Sequence, residues 1–208
     1  DPAIPVKIEK MKQRVQWQHE SIVQRGIDQT SMVLDDGKED SEEFSFMVIG
    51  DSGTTCQHGY HPQREVAKLM LQHRPECRFV LHTGDVIYTV GSREYYPSNF
   101  IEPYREFLKG GENPQNIAYD NMVFDTPILT TLGNHDYYDV PFRYRVLTGP
   151  TLKLRRMFRY KDFEIGWHGS EQGDAYAKAF LDYLARFSQK EKLESHLDEH
   201  YTAKTDNG

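Results

Sequence analysis

"FMVIGDSG" (residues 46–53) is an apolar run that stops at an acid followed by small, turn-forming residues. A buried strand gains nothing from a charge at its tip, so the acid asks for a partner. The pattern recurs: "FVLHTGDVIY" (79–88) ends in the same way, and "PILTTLGNHD" (127–136) ends in a cluster of polar donors. Working outward, residues 44–50 read as a strand. Residues 62–73 ("PQREVAKLMLQH") read as a helix, with Pro62 in its first turn and Val66, Leu69 and Met70 facing inward. Further strands are expected over 78–83 and 127–132, with a short helix near 99–108. Strand–helix–strand order predicts right-handed parallel crossovers in an α/β sheet. Ligands of such sheets sit outside the carboxyl ends of the strands, where Asp51, Asp85 and Asn134 fall.

These residue types suit metal chemistry. Hard or borderline cations take carboxylate, amide and imidazole ligands. Two cations need a shared carboxylate plus separate ligands for each, and Asp51 and Asp85 supply the carboxylates. Gly50 and Gly84 precede the two acids and let the backbone turn sharply. Asn134 offers an amide oxygen, His135 a proton, and Asp136 a carboxylate to orient the imidazole. One "GD" at a strand end is commonly just a turn. Two copies followed by "GNHD", each after an apolar strand, point to a metal site.

"GDSG", "GDVIY" and "GNHD" resemble the first three motifs of the calcineurin-like metallophosphoesterases. The GDxG and GDxxY forms look like the purple acid phosphatase branch. The resemblance covers residues 44–138. It implies hydrolysis of phosphate esters, by a phosphatase or phosphodiesterase, with two metal ions: Fe at one position and Fe, Mn or Zn at the other. By the same resemblance, Asp51 and Tyr88 bind the first metal, Asp85 bridges both, and Asn134 binds the second. His135 protonates the leaving alkoxide or steadies the phosphoryl oxygens. The expected fold is α/β, half of a metallophosphoesterase-type β-sandwich flanked by helices, with an N-terminal helix and a C-terminal helical insertion.

The family pattern also expects a strand-borne histidine and then a GHxH-like segment. Neither is recognisable here; after Asp136 only His168, His196 and His200 remain. The favoured expectation puts the missing histidines beyond Gly208, in the other half of a longer protein. Two alternatives are an unusual completion of the site by His168, His196 and His200, and a non-catalytic relative acting as a binding module. "HLDEH" (196–200) also matches the inverted zinc-protease motif H-x-x-E-H, with Glu199 as base. Its helix is saturated with charge and reads as a solvated face. His58 and His61 read as exposed loop histidines; Tyr137 and Tyr138 suit packing or a pocket wall.

The flanks differ in character. Residues 1–43 comprise a helix over 6–28, ending at Gly26, and a charged linker; 44–140 form the core domain. Residues 141–208 comprise a basic loop and a long amphipathic helix carrying Tyr176, Phe180, Tyr183, Leu184 and Phe187 on one stripe. The 208-residue chain suffices for one core domain with an appendage. Its 38% hydrophobic content and mean hydropathy of -0.73 predict much solvated structure around that core. A net charge of -7 and pI near 5.7 argue against nucleic-acid binding through a basic surface. The partner that the resemblance implies is a phosphate-ester substrate, monoester or diester. Two cysteines, Cys56 and Cys77, make no disulfide framework and are expected to be reduced. No apolar run reaches membrane-span length. With no signal peptide or Asn-x-Ser/Thr acceptor in sight, the compartment defaults weakly to the cytoplasm.

Overall fold

A computed structural model describes residues 3–14, 20–26, 43–53, 61–88, 90–137, 150, 173–181 and 195. Its centre is one three-stranded sheet in the order β1 (Ser45–Ile49), β2 (Cys77–His82), β3 (Ile128–Thr130). Both pairings are parallel, with Met47 beside Val80 beside Ile128, and Ile49 beside His82 beside Thr130. The strands arise where the apolar runs were expected, within two residues at each end. Among the described residues there is this single sheet and no second one to make the expected β-sandwich.

Strand alternation gives the sheet two unlike faces. Val80, His82 and Ile128 are buried on one, with Met47 and Ile49 packed against the core. Phe46 and Val48 lie exposed on the other, where the Phe46 and Phe79 rings stack at 5.1 Å.

Helix α3 (Pro62–His73) forms the β1–β2 crossover with the expected bounds. Its inward stripe differs from the expected one. Gln63, Ala67 and Met70 are buried, whereas Val66 and Leu69 are exposed. The buried residues follow an i, i+4, i+7 stripe, one face of a single helix. Arg64 then fixes the rotation: it makes a bidentate pair with Glu106 and donates to the Pro103 carbonyl at 2.8 Å. That pairing holds the Glu106 carboxyl below its ordinary value and the Arg64 guanidinium above its own.

The β2–β3 connection is not the single short helix expected near 99–108. It runs through one-turn segments, tight at Arg93–Tyr95, Arg105–Phe107 and Pro114–Asn116 and wider at Pro97–Ile101. Prolines begin two of these segments and remove donors that a longer helix would need. Their rings build an aromatic core: Phe100 meets Tyr104 at 5.3 Å and Phe180 edge-on at 5.4 Å.

Helix α1 (Ile4–Arg14) realises part of the expected N-terminal helix, α2 (Glu20–Val23) follows, and Gly26 ends it at φ +69°. A one-turn α4 (Asn134–Tyr137) opens directly on the third motif. α5 (Asp174–Tyr176) continues into a wider turn, Ala177–Leu181. Tyr176 is buried with its hydroxyl 2.8 Å from Thr130 Oγ1, and the Phe180 ring joins the aromatic core. The stripe residues Tyr183, Leu184 and Phe187 lie outside the described residues, as does Cys56; Cys77 is a free thiol. Among the described residues no helix is long and apolar enough to cross a membrane.

Candidate metal centre

Three adjacent parallel strands necessarily end on one edge, so the three motifs meet there. Backbone bonds continue beyond the strands. Thr83 N–H reaches Ile49 O at 2.8 Å, Asp51 N–H reaches Gly84 O at 3.0 Å, and Thr131 N–H reaches His82 O at 2.9 Å. Close packing of the loops needs the motif glycines. A Cβ on Gly133 would sit 2.1 Å from Asp85 N, and one on Gly53 would sit 2.3 Å from Val86 O. Gly84 turns at φ +108°, as expected, but Gly50 does not. At Gly50 a Cβ would meet the Thr83 Oγ1 at 2.1 Å and no backbone atom closer than 3.9 Å, so the clash falls on a side-chain hydroxyl. The sharp turns fall on the acids themselves: Asp51 and Asp85 adopt φ of 52° and 53°. A left-handed residue other than glycine costs roughly 1 kcal/mol or more, and such strain concentrates at functional sites.

The two acids face one another across Tyr88. Its hydroxyl lies 2.7 Å from Asp51 Oδ1 and 2.9 Å from Asp85 Oδ2. One phenolic proton serves two carboxylates, leaving the three oxygens short of positive charge. Burial, then the hydrogen bonds to Asp51 and Asp85, push the Tyr88 phenol well above its ordinary value. A cation placed among these oxygens reverses that preference. This all-oxygen set fits a hard cation. The other oxygen of Asp85 accepts the backbone N–H of His135 at 2.8 Å. The His135 ring lies against Tyr88, centroids 4.4 Å apart. Asn134 is exposed on α4, between Gly133 and His135, both of which touch Asp85.

Asp136 does something other than hold the imidazole. It is fully buried, and its carboxylate accepts three backbone N–H groups: Ile87 at 3.0 Å, Val86 at 3.1 Å and Gly133 at 3.0 Å. With both oxygens occupied by amides, Asp136 clamps the third motif onto the second. Burial raises its pKa to about 6, against the opposing pull of those three bonds.

Two contributors escaped the reading of the sequence. His82 is fully buried at the end of β2. Its Nδ1 accepts the Gly84 N–H at 3.2 Å, so in the neutral ring Nε2 carries the proton and donates to Ser52 Oγ at 2.7 Å. Burial lowers its pKa to about 4, overcoming the attraction of Asp51 and Asp85. Asn99, also buried, donates from Nδ2 to Gly53 O at 2.7 Å and to Tyr88 O at 2.9 Å. It thus staples the first motif to the second. For His82 a signal existed, a polar residue on the core face of an apolar strand; for Asn99 there was none.

Of the weaker candidates, His61 is exposed just before α3, and Tyr137 is buried with the Lys7 ammonium 5.0 Å from its ring centre. His58, Tyr138, His168, His196, Glu199 and His200 lie outside the described residues. Among the described residues no group of three or more His, Cys, Asp or Glu side chains forms a metal cluster. The gathered set is two acids, a phenol and a neighbouring amide.

No curated protein and no solved structure matches the chain significantly. The sequence profile of the calcineurin-like phosphoesterases matches residues 44–196, which take in all three strand ends. The chain belongs to the calcineurin-like phosphoesterase family, whose members act on phosphate esters and generally bind two divalent metals.

Proposed function

We propose that this protein hydrolyses phosphate esters at the strand-end site, in the manner of the purple acid phosphatase branch. The convergence of Asp51 Oδ1, Asp85 Oδ2 and Tyr88 Oη around one proton carries the reading. Asp51 and Tyr88 would hold one metal, Asp85 would be shared with a second, and Asn134 would serve that second position. A phenolate ligand favours Fe(III) at the first position; Fe, Mn or Zn suits the other. When bound, such a pair activates water and neutralises the charge of the phosphoryl group.

The chain's own residues do the rest. His135, held by its backbone N–H on Asp85 and its ring on Tyr88, donates a proton to the departing oxygen. Asp136 keeps the loop carrying Asn134 and His135 in register with Asp85. Asn99 and His82 hold the loops that carry Tyr88 and Asp51. Buried, fully bonded supports of this kind keep a site within the tolerance that catalysis requires.

The test is hydrolysis of 4-nitrophenyl phosphate by the metal-supplemented chain. The reading expects at least a hundredfold loss of kcat/KM in Asp85→Asn and no effect of Glu199→Gln. Equal activity in Asp85→Asn, or no activity in the wild type, would refute it.

A further inference from the structure

We propose that the cavity between α1 and the end of β3 receives the alcohol portion of the ester, selecting bulky apolar or aromatic leaving groups. The assignment rests on the phosphoester reading above and adds a substrate class to it. The cavity has a volume of about 610 Å³, within the range of small-molecule sites. Ile4, Ile8 and Met11 line one wall at the i, i+4, i+7 spacing of a single helix face. Leu132 and Tyr176 add further apolar lining. Ile4 and Ile8 are 71% and 51% exposed, so apolar surface here still faces water, and covering it favours a ligand.

The position of the cavity ties it to the chemistry. Gly133 and Asn134 form part of its lining. Behind Gly133 lies Asp85, whose Oδ1 sits 2.2 Å from where a Cβ on that glycine would stand. An ester whose phosphoryl group reaches Asp85 and Asn134 therefore has this cavity beside it for its organic half. Lys7 and Lys12 also line the space, which suits an amphipathic anion better than a neutral lipid.

The experiment uses the full chain and two variants of opposite character, Ile8→Trp, which fills the space, and Ile8→Asp, which charges it. Ile8 is half-exposed, and circular dichroism checks that both variants fold. Binding of 1-naphthol to the metal-free chain is measured by calorimetry. Hydrolysis of 1-naphthyl phosphate and methyl phosphate is measured with metal added. The wild type is expected to bind naphthol, about tenfold more tightly than either variant. The naphthyl-over-methyl preference in kcat/KM is expected to fall by a similar factor, about tenfold, in both variants. Undetectable naphthol binding, or binding and preference unchanged in both variants, would overturn the assignment. Naphthol binding that responds to Ile8 in a chain that hydrolyses neither ester would refute the phosphoester reading, and the leaving-group role with it.

Discussion

Tyr88 and Asp51 are 37 residues apart in the chain, yet the Tyr88 hydroxyl lies 2.7 Å from Asp51 Oδ1. The contact joins the first strand end to the second and aims both at Asp85. It also has an electrostatic deficit, because the same proton must serve Asp85. A cation removes that deficit, so the hydroxyl should matter more to metal affinity than to the fold. In Tyr88→Phe, metal affinity is expected to fall about 10- to 100-fold, read by competition with a chromogenic chelator. Unchanged affinity would remove Tyr88 from the ligand set.

Asp136 should matter to the fold itself. Asp136→Ala leaves the N–H groups of Val86, Ile87 and Gly133 buried without their acceptor. The expected cost is about 2–4 kcal/mol by urea denaturation, with Asp136→Asn intermediate because one acceptor oxygen remains. A cost under about 0.5 kcal/mol would show that the clamp is dispensable.

Gly133 and Gly26 separate two reasons for glycine. A methyl at Gly133 runs into Asp85 N at 2.1 Å, and backbone cannot step aside. Gly133→Ala is expected to cost more than about 3 kcal/mol. Gly26 has positive φ but nothing within 4 Å. Gly26→Ala should cost only about 1 kcal/mol. Equal costs in thermal melts would contradict the packing account.

His82 makes acid stability titratable. Its folded pKa of about 4 lies below the ordinary 6.5, so between those values the unfolded chain binds the extra proton. The contribution of His82 to stability therefore rises with pH from about 4 to about 6.5 and levels off above, opposed over part of that window by the raised Asp136 carboxyl. Between pH 7 and pH 4 the wild type should lose roughly 2–3 kcal/mol that His82→Gln does not lose. Parallel urea-derived profiles for the two proteins would mean that His82 is not neutral in the fold.

Much of this arrangement was legible in the chain because it is periodic or punctuated. Apolar runs ending at Asp51 and Asp85 marked strands and their order, and parallel pairing followed from the helix between them. The acids' convergence with Tyr88 could be expected only through the family resemblance, since spacing does not reveal a contact between residues 51 and 88. The rotation of α3 was misread because Val66 and Leu69 outrank Ala67 in hydrophobicity. The observed rotation instead buries Ala67 and Met70 and lets Arg64 pair with Glu106. Asp136 was assigned to His135 by proximity in sequence, whereas buried amides of the second motif take its oxygens. Asn99 was invisible because its role lies in two carbonyls distant in sequence, Gly53 and Tyr88.

The central claim is that Asp51, Asp85, Tyr88 and Asn134 together hold metal. It is tested most directly by elemental analysis of metal per folded chain, in the wild type and in Asp85→Asn. The account predicts bound metal in the wild type and its loss in the variant, because Asp85 meets both the Tyr88 hydroxyl and the loop that carries Asn134 and His135. Metal retained in full by Asp85→Asn, or absent from a wild type offered Fe, Mn and Zn, would contradict it.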